Sequence, residues 1–372
     1  MISVDDYIEN VKRTNKLKST ESLLLGLVGE IGSLMSPAKK LAREHDVYGE
    51  DKFRNDTIEE LGDILWYFVA LCEAYKCDFK NYIINLEYPQ DTTAEKSNLV
   101  FTSLPEQPVV GRLNSIHSPE KKQKLLEFAS EGMSLVNSII GNDTIIPEEA
   151  ISFLKKYQEI IIFLNISFHQ IVESNIKKTS SRFLKDINEP IYFDEDFDED
   201  EQIPREFEIH IVLKNNKTYM KWNGVRIGDP LTDNHASKDG YKYHDVFHLA
   251  YAAILHWSPV FRALIKHKRK SNAFIDETQD GGRAIVIEEG ISVWLYAQAK
   301  EHNYFENTSN LSYDILKTIQ QFVKGYEVEK CSLSLWEKAI LEGYKVFNQL
   351  KEKGQGKIIG NLEQRTIEYH EF

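Results

Sequence analysis

The sequence predicts a mainly α protein. An N-terminal all-α domain built like a four-helix bundle is expected over residues 1–190, an acidic linker over 191–202, and a mostly helical C-terminal domain with a β-hairpin over 203–372. Three observations predict this. Apolar residues recur at three- and four-residue spacing around acidic pairs between positions 20 and 76. After a Pro-, Ser- and Thr-rich break at 88–118, the chain repeats the pattern that precedes the break. The apolar/polar alternation of strands stands out near 207–222.

A chain of 372 residues is too long for one typical core. No stretch approaches the roughly 18 uninterrupted apolar residues of a membrane span, so no membrane partner is expected. The polar, acidic start, Met1 to Tyr7, is unlike a secretory signal. The three cysteines, Cys72, Cys77 and Cys331, fit a reducing cytoplasm better than a disulfide framework. A formal charge of −13 argues against broad nucleic-acid binding. It leaves nucleotides open, because a bound divalent cation and a few basic side chains reverse the field inside a pocket.

In chain order, residues 3–19 read as an amphipathic helix with Tyr7, Ile8 and Val11 inward. Residues 20–45 read as a helix with Leu23, Leu24, Leu27, Ile31 and Leu34 on its apolar side, carrying Glu30; Pro37 should kink or end it. Lys39, Lys40 and Arg43 follow. The segment 46–56 reads as a polar loop and 57–76 as the next helix. Glu60 and Asp63 are three apart, so they share a helix face. Leu61, Ile64, Leu65 and Phe68 flank them, so part of that face borders the core. If the two helices pack antiparallel, Glu30, Glu60 and Asp63 converge. Carboxylates that close repel one another, and a hard cation, Mg²⁺ or Mn²⁺, resolves the conflict. The plainer alternative is a set of solvated surface acids.

Glu30-x-x-Ser33 followed by Glu60-x-x-Asp63 resembles the Glu-x-x-Glu…Glu-x-x-Asp signature of the all-α NTP pyrophosphohydrolases, the MazG-like superfamily. The string at 59–67, Glu-Glu-Leu-Gly-Asp-Ile-Leu-Trp-Tyr, is close to that family's wording. The resemblance implies cleavage of a (d)NTP to the monophosphate and pyrophosphate, with Glu30, Glu60 and Asp63 holding the cation. Glu59 would orient a water or face solvent. Ser33 departs from the pattern, since the family places a second acid there.

The second copy aligns Ser130–Leu135 on Gly29–Leu34 and the run from Glu148 on the run from Glu59. Glu131 and Glu149 then match Glu30 and Glu60, while Ser152 replaces Asp63. Two such helix pairs make a four-helix core. In related pyrophosphohydrolases the pairing commonly joins subunits. Here it is expected to be at least partly internal, with one competent site per chain, and a homo-oligomer stays open. The run Ile171 to Phe183 resembles the family's last helix. Its Asn175, Lys178 and Arg182, spaced along one side, would by that resemblance hold phosphates or the sugar. Lys39 is a further candidate for phosphate contact.

The acidic run 194–201 reads as solvated linker. Phe207–Leu213 and Thr218–Trp222 read as a hairpin, and 224–240 as a loop. The next helix carries His244, Asp245 and His248. His244 and His248 are four apart and face one way, so they suit a transition metal if a third ligand arrives. Glu288 or Glu289, in an apolar helix, is the candidate; Asp276, Glu277 and Asp280 precede it. This is not the zinc-protease pattern, because Asp245 stands where that pattern has Glu. The strings 239–253 and 280–290 resemble the C-terminal module attached to MazG-like pyrophosphohydrolases. The basic cluster from Arg262 to Lys270 reads as an exposed face or a phosphate contact. Residues 311–352 read as two helices with Trp336, Ile340, Tyr344 and Phe347 inward.

The leading reading is a Mg²⁺-dependent nucleoside triphosphate pyrophosphohydrolase. The alternative is a nucleotide-sensing bundle that controls a C-terminal metal-dependent module built on His244, Asp245, His248 and Glu288, with phage defence as an association by resemblance. A third is a structural assembly protein.

Overall fold

A computed structural model describes residues 2–87, 119–184, 192–236 and 238–372. The expected loop at 88–118 lies outside them. The chain divides into two compact units, Met1–Leu184 and Lys185–Phe372.

Helices are the regular elements that carry the first unit, joined by short connections. Helix α1 (Val4–Thr14) starts from a reciprocal cap: the Ser3 hydroxyl accepts from the Asp6 N–H, and the Asp6 carboxylate accepts from the Ser3 N–H, both at 3.0 Å. Helix α2 (Thr20–Ser33) starts at Ser19 and stops at Leu34. A new helix, α3 (Met35–Arg43), then begins with Pro37 in its first turn. Proline lacks an N–H that this turn would leave unpaired anyway, so the expected single helix over 20–45 is two.

After the short α4 (His45–Tyr48) comes α5 (Glu50–Ala74), which begins seven residues earlier than the periodicity suggests. The expected loop at 46–56 is mostly helical because Phe53 and Thr57 are buried on one side, with the Thr57 hydroxyl donating to the Phe53 carbonyl at 2.6 Å. The chain continues through α6 (Phe79–Glu87), α7 (Pro119–Asn142), α8 (Pro147–Phe163) and α9 (Phe168–Phe183). Helix α2 packs on α5, α7 on α8, and α9 on both α1 and α5.

The core of this unit runs through adjoining rings. Phe68 meets Phe153 at 5.2 Å, Phe153 stacks on Phe128 at 5.4 Å, and Tyr157 meets Phe168 at 5.7 Å between centroids. Two glycines allow close approach: a Cβ on Gly26 would stand 2.1 Å from the Tyr67 ring, and one on Gly62 would stand 3.0 Å from Asn175 Cβ.

The second unit has a five-stranded antiparallel sheet in the order β3-β2-β1-β4-β5. Strands β1 (Glu206–Lys214) and β2 (Lys217–Trp222) form the expected hairpin. Lys214 pairs with Lys217 across Asn215 and Asn216, whose φ angles of 52° and 59° are those of the tight turn that matches strand twist. The expected loop at 224–240 instead begins with β3 (Val225–Leu231). Strands β4 (Gly356–Asn361) and β5 (Thr366–His370) close the other edge, and β4 lies against β1.

The helices of this unit are α10 (Asp245–Ala250), α11 (Pro259–Ile265), α12 (Ala273–Thr278), α13 (Gly282–Glu301), α14 (Tyr313–Phe322) and α15 (Leu333–Lys353). A π-turn, Tyr251–Leu255, continues α10. Trp336, Ile340, Tyr344 and Phe347 are buried, as expected of an inward stripe.

Three residues depart from two expectations here, for one reason, while Lys266, Lys270 and most of 195–200 are exposed. Asp194, in the run read as solvated linker, is buried. It accepts from the Ile203 N–H at 2.8 Å and pairs with Arg205 at 2.8 Å and Arg262 at 2.5 Å. Arg262 and Arg269, in the cluster read as exposed or phosphate-binding, are buried too. Arg269 binds Asp280 and Glu327, each at 2.7 Å. These charges neutralise one another inside the unit, which removes Asp280 from the candidate ligands.

Phe153→Ala should cost about 3–5 kcal/mol, because it empties the centre of the ring stack. Urea unfolding followed by circular dichroism measures this. A loss below about 1 kcal/mol would mean that the stack does not carry the first unit's core.

Candidate functional site

Two clusters among the described residues bring three ligand-type side chains together, one in each unit. In the first unit, carboxylate oxygens of Glu30, Glu60 and Asp63 lie within 4.8 Å of one another. Glu30 stands one turn beyond Gly26 on α2, where Tyr67 from α5 lies against the bare glycine and fixes the approach of the two helices. Glu60 and Asp63 are consecutive positions on one face of α5.

All three acids are half-buried. Burial, then the neighbouring Glu30 and Asp63 charges, push the Glu60 carboxyl up to about 7. Burial, then the Asp63 charge, raises Glu30 as well. These are like charges held together in partial isolation from water.

Helix α9 supplies the counterweight. The Lys178 ammonium lies 2.5 Å from Asp63 Oδ2 and 3.1 Å from Glu59 Oε1. The Asn175 amide donates to Asp63 Oδ1 at 3.2 Å and accepts from the Tyr7 hydroxyl at 3.0 Å. Asn175 is only 2% exposed, so the direct ligand contact expected of it is not what its surroundings offer; it orients Asp63. Tyr7, which the sequence marked only as a core residue, is the third member of this chain of bonds. Glu59 faces Lys178. Arg182 lies at the last turn of α9, near enough for its charge to act on Tyr67. Lys39 is exposed on α3, beyond the break at Leu34, and takes no part in the ion pairs of the cluster. Among the described residues Glu131 and Glu149 join no such cluster.

The donor set fits a hard cation. All three groups are oxygen donors, and oxygens around one Mg²⁺ stand roughly 3–4 Å apart, so a small inward movement of the side chains closes the distances.

In the second unit the converging residues are His244, His248 and Glu289. Glu288, the residue favoured from sequence, is fully buried and turned away. It accepts from His248 Nδ1 at 2.8 Å, the Ser258 hydroxyl at 2.6 Å and the Val260 N–H at 2.8 Å. Adjacent residues of a helix point about 100° apart, so only one of the pair can face the histidines' outer nitrogens. Asp245 Oδ1 lies 3.7 Å from His244 Nε2 and borders the cluster without joining it.

A two-unit, mainly α chain with a carboxylate cluster on helices and a His/Glu cluster beside a small sheet is thus defined. Residues 188–372 match the family model of the MazG C-terminal domain, and this half of the chain belongs to that family. At family level a MazG-related module suggests nucleotide pyrophosphohydrolase-type function. The chain is also 33% identical over 57 residues to the Gene 37 protein of Mycobacterium phage L5, covering 15% of this chain and 50% of that protein. It therefore spans about half the length of that relative. No solved structure matches. No described helix is long and apolar enough to cross a membrane.

The raised Glu60 predicts a pH effect. In the folded chain Glu60 keeps its proton up to about 7; in the unfolded chain it loses it near 4.5. Between those values the folded state binds more protons, so stability falls as pH rises through the window. In chelator-treated protein the thermal midpoint should drop between about pH 5 and pH 8. Millimolar Mg²⁺ should restore it at the upper end and do little at the lower. A midpoint that rises through the window would contradict the crowding of these acids.

Proposed function

We propose that the N-terminal unit is a Mg²⁺-dependent nucleoside triphosphate pyrophosphohydrolase. The observation that carries this reading is the convergence of Glu30, Glu60 and Asp63, with Lys178 against them. The match of residues 188–372 to a MazG-type module supports it. Water adds its oxygen at phosphorus, the anhydride between the α- and β-phosphates breaks, and the products are the nucleoside monophosphate, pyrophosphate and a proton.

A bound Mg²⁺ supplies charge neutralisation and a more acidic water. The chain's own residues do the rest. Glu30, Glu60 and Asp63 hold the cation through oxygen. Tyr7 and Asn175 keep Asp63 turned toward it. Lys178, whose ammonium lies against Asp63 and Glu59, would face a phosphate. Glu59 holds Lys178 in place or receives the proton of the attacking water. Ser33, at the last position of α2, offers a neutral hydroxyl where the family pattern has an acid. That substitution favours one cation over two.

Ser33 also motivates a second reading, in which the unit binds Mg-nucleotide as a sensor without turnover. One assay separates the two: pyrophosphate release from each NTP and dNTP with Mg²⁺. Glu60→Gln should lower turnover by about 100-fold or more, and Lys178→Met by about 10-fold or more. Equal rates in wild type and Glu60→Gln would refute this site. Tight nucleotide binding with no pyrophosphate from any substrate would establish the sensor.

A further inference from the structure

We propose that the C-terminal unit binds one divalent transition cation through His244 Nε2, His248 Nε2 and a Glu289 carboxylate oxygen, with at least one coordination position left open.

The hydrogen bonds around the two imidazoles decide which nitrogens are available. His244 Nδ1 lies 2.9 Å from the Tyr241 carbonyl, and His248 Nδ1 lies 2.8 Å from the Glu288 carboxylate. A carbonyl and a carboxylate are acceptors, so each Nδ1 carries a proton and Nε2 is the nitrogen left to bind a metal; on His248 a bound cation takes the place of the Nε2 proton. The ring of Tyr241 stacks on His244 at 4.3 Å and 4°, which fixes its plane. Both Nε2 atoms approach the same Glu289 oxygen, His244 and His248 being one turn apart.

His248 Nε2 is the independent sign of a ligand. The side chain is 1% exposed, and among the described residues this nitrogen has no hydrogen-bond partner. A buried nitrogen left that way is rare and costs free energy. Glu289 Oε2 is 3.5 Å from it and 3.9 Å from His244 Nε2. Those distances are longer than a charge-assisted hydrogen bond of about 2.7–2.9 Å. They approach the roughly 3.4 Å that separates two ligand atoms around a tetrahedral Zn²⁺ with bonds near 2.1 Å.

The second layer matches as well. Glu288 is held by Ser258 and Val260 and cannot swing out to be a ligand, but it holds His248 in the required tautomer. A carboxylate behind a ligating imidazole is the arrangement that orients metal-binding histidines. Two imidazoles and one carboxylate select zinc or iron over Mg²⁺. Three protein ligands, rather than four, leave room for water or a substrate atom.

The test uses the full chain. Chelator-treated protein is dialysed against Zn²⁺ or Co²⁺ with excess Mg²⁺ present, and metal content per chain is measured by mass spectrometry. Protein as purified is analysed alongside to name the native ion. One tightly held transition ion per chain is expected, with the visible absorption of a low-coordinate Co²⁺ complex. Glu289→Gln should weaken binding by about 10- to 100-fold. Glu288→Gln, which acts through His248, should do the same while leaving the fold intact by circular dichroism. His244→Ala should abolish the site.

Glu60→Gln should leave it untouched, since that residue is in the other unit. No retained transition ion in folded wild-type protein would overturn the proposal. So would full occupancy in both His244→Ala and Glu289→Gln. Neither result would bear on pyrophosphate release, so the two proposals fail separately.

Discussion

The N-terminal unit depends on one electrostatic constraint: half-buried carboxylates from two helices are held within hydrogen-bonding range of a shared point. Two unit charges about 4 Å apart near a protein surface interact by on the order of 4 kcal/mol. Three such charges would push α2 and α5 apart if nothing opposed them. The opposition is local and specific. Leu23, Leu27 and Ile31 on α2, and Leu61, Ile64, Leu65 and Phe68 on α5, bury the apolar sides of the same helices. Lys178 and Asn175 reach in from α9. The acids are therefore an expense of packing, tolerated because the same helices bury so much apolar surface. Proton uptake by Glu60 or a bound cation relieves the repulsion, and the two compete.

The C-terminal unit solves the opposite problem. Its buried ion pairs balance three carboxylates with three guanidiniums, in the network of Asp194, Arg205, Arg262, Arg269, Asp280 and Glu327. Beside that network, His248 Nε2 has no hydrogen-bond partner among the described residues and faces Glu289 Oε2 at 3.5 Å. Burial by itself would lower the His248 pKa, but the Glu288 and Glu289 carboxylates outweigh burial and push it up to about 10. His244, without a carboxylate at hydrogen-bond distance, is lowered by burial. The site therefore prefers a positive charge, and the lone pair at His244 is free at neutral pH to help hold one.

Helices were legible from the sequence where an apolar stripe was continuous, as in α15, and their ends were not. The break near Leu34 was signalled by Pro37, while the early start of α5 depends on the burial of Phe53 and Thr57, a tertiary fact. Glu60 and Asp63 could be paired from spacing alone, because residues three apart on a helix share a face; bringing Glu30 to them takes the packing of α2 on α5. The choice between Glu288 and Glu289 could not be made from spacing. Both are adjacent, and only the rotation of α13 against α10 and α11 decides. Arg262 and Arg269 were misjudged because their partner Asp194 is distant in sequence and Glu327 lies in a different element. Tyr7 was overlooked as a polar contributor because its hydroxyl bonds to a residue 168 positions away. Strand β4 carries Gly356 and Gly360 where aromatic rings from β5 and β1 lie across the backbone, so its composition hides the strand pattern.

The two clusters differ in donor chemistry, and that difference keeps them independent. Oxygen-only groups with an ammonium nearby suit a cation that retains water and exchanges readily with the phosphates it accompanies. Imidazoles oriented by buried acceptors suit a cation that stays. Mg²⁺ at cellular excess competes weakly for nitrogen, and a scarce transition ion captured by His244 and His248 has little reason to cross to the carboxylates. One chain can therefore carry an exchanging metal that arrives with substrate and a resident one that does not. That separation follows from the residues each unit places together, without any contact between the units being required.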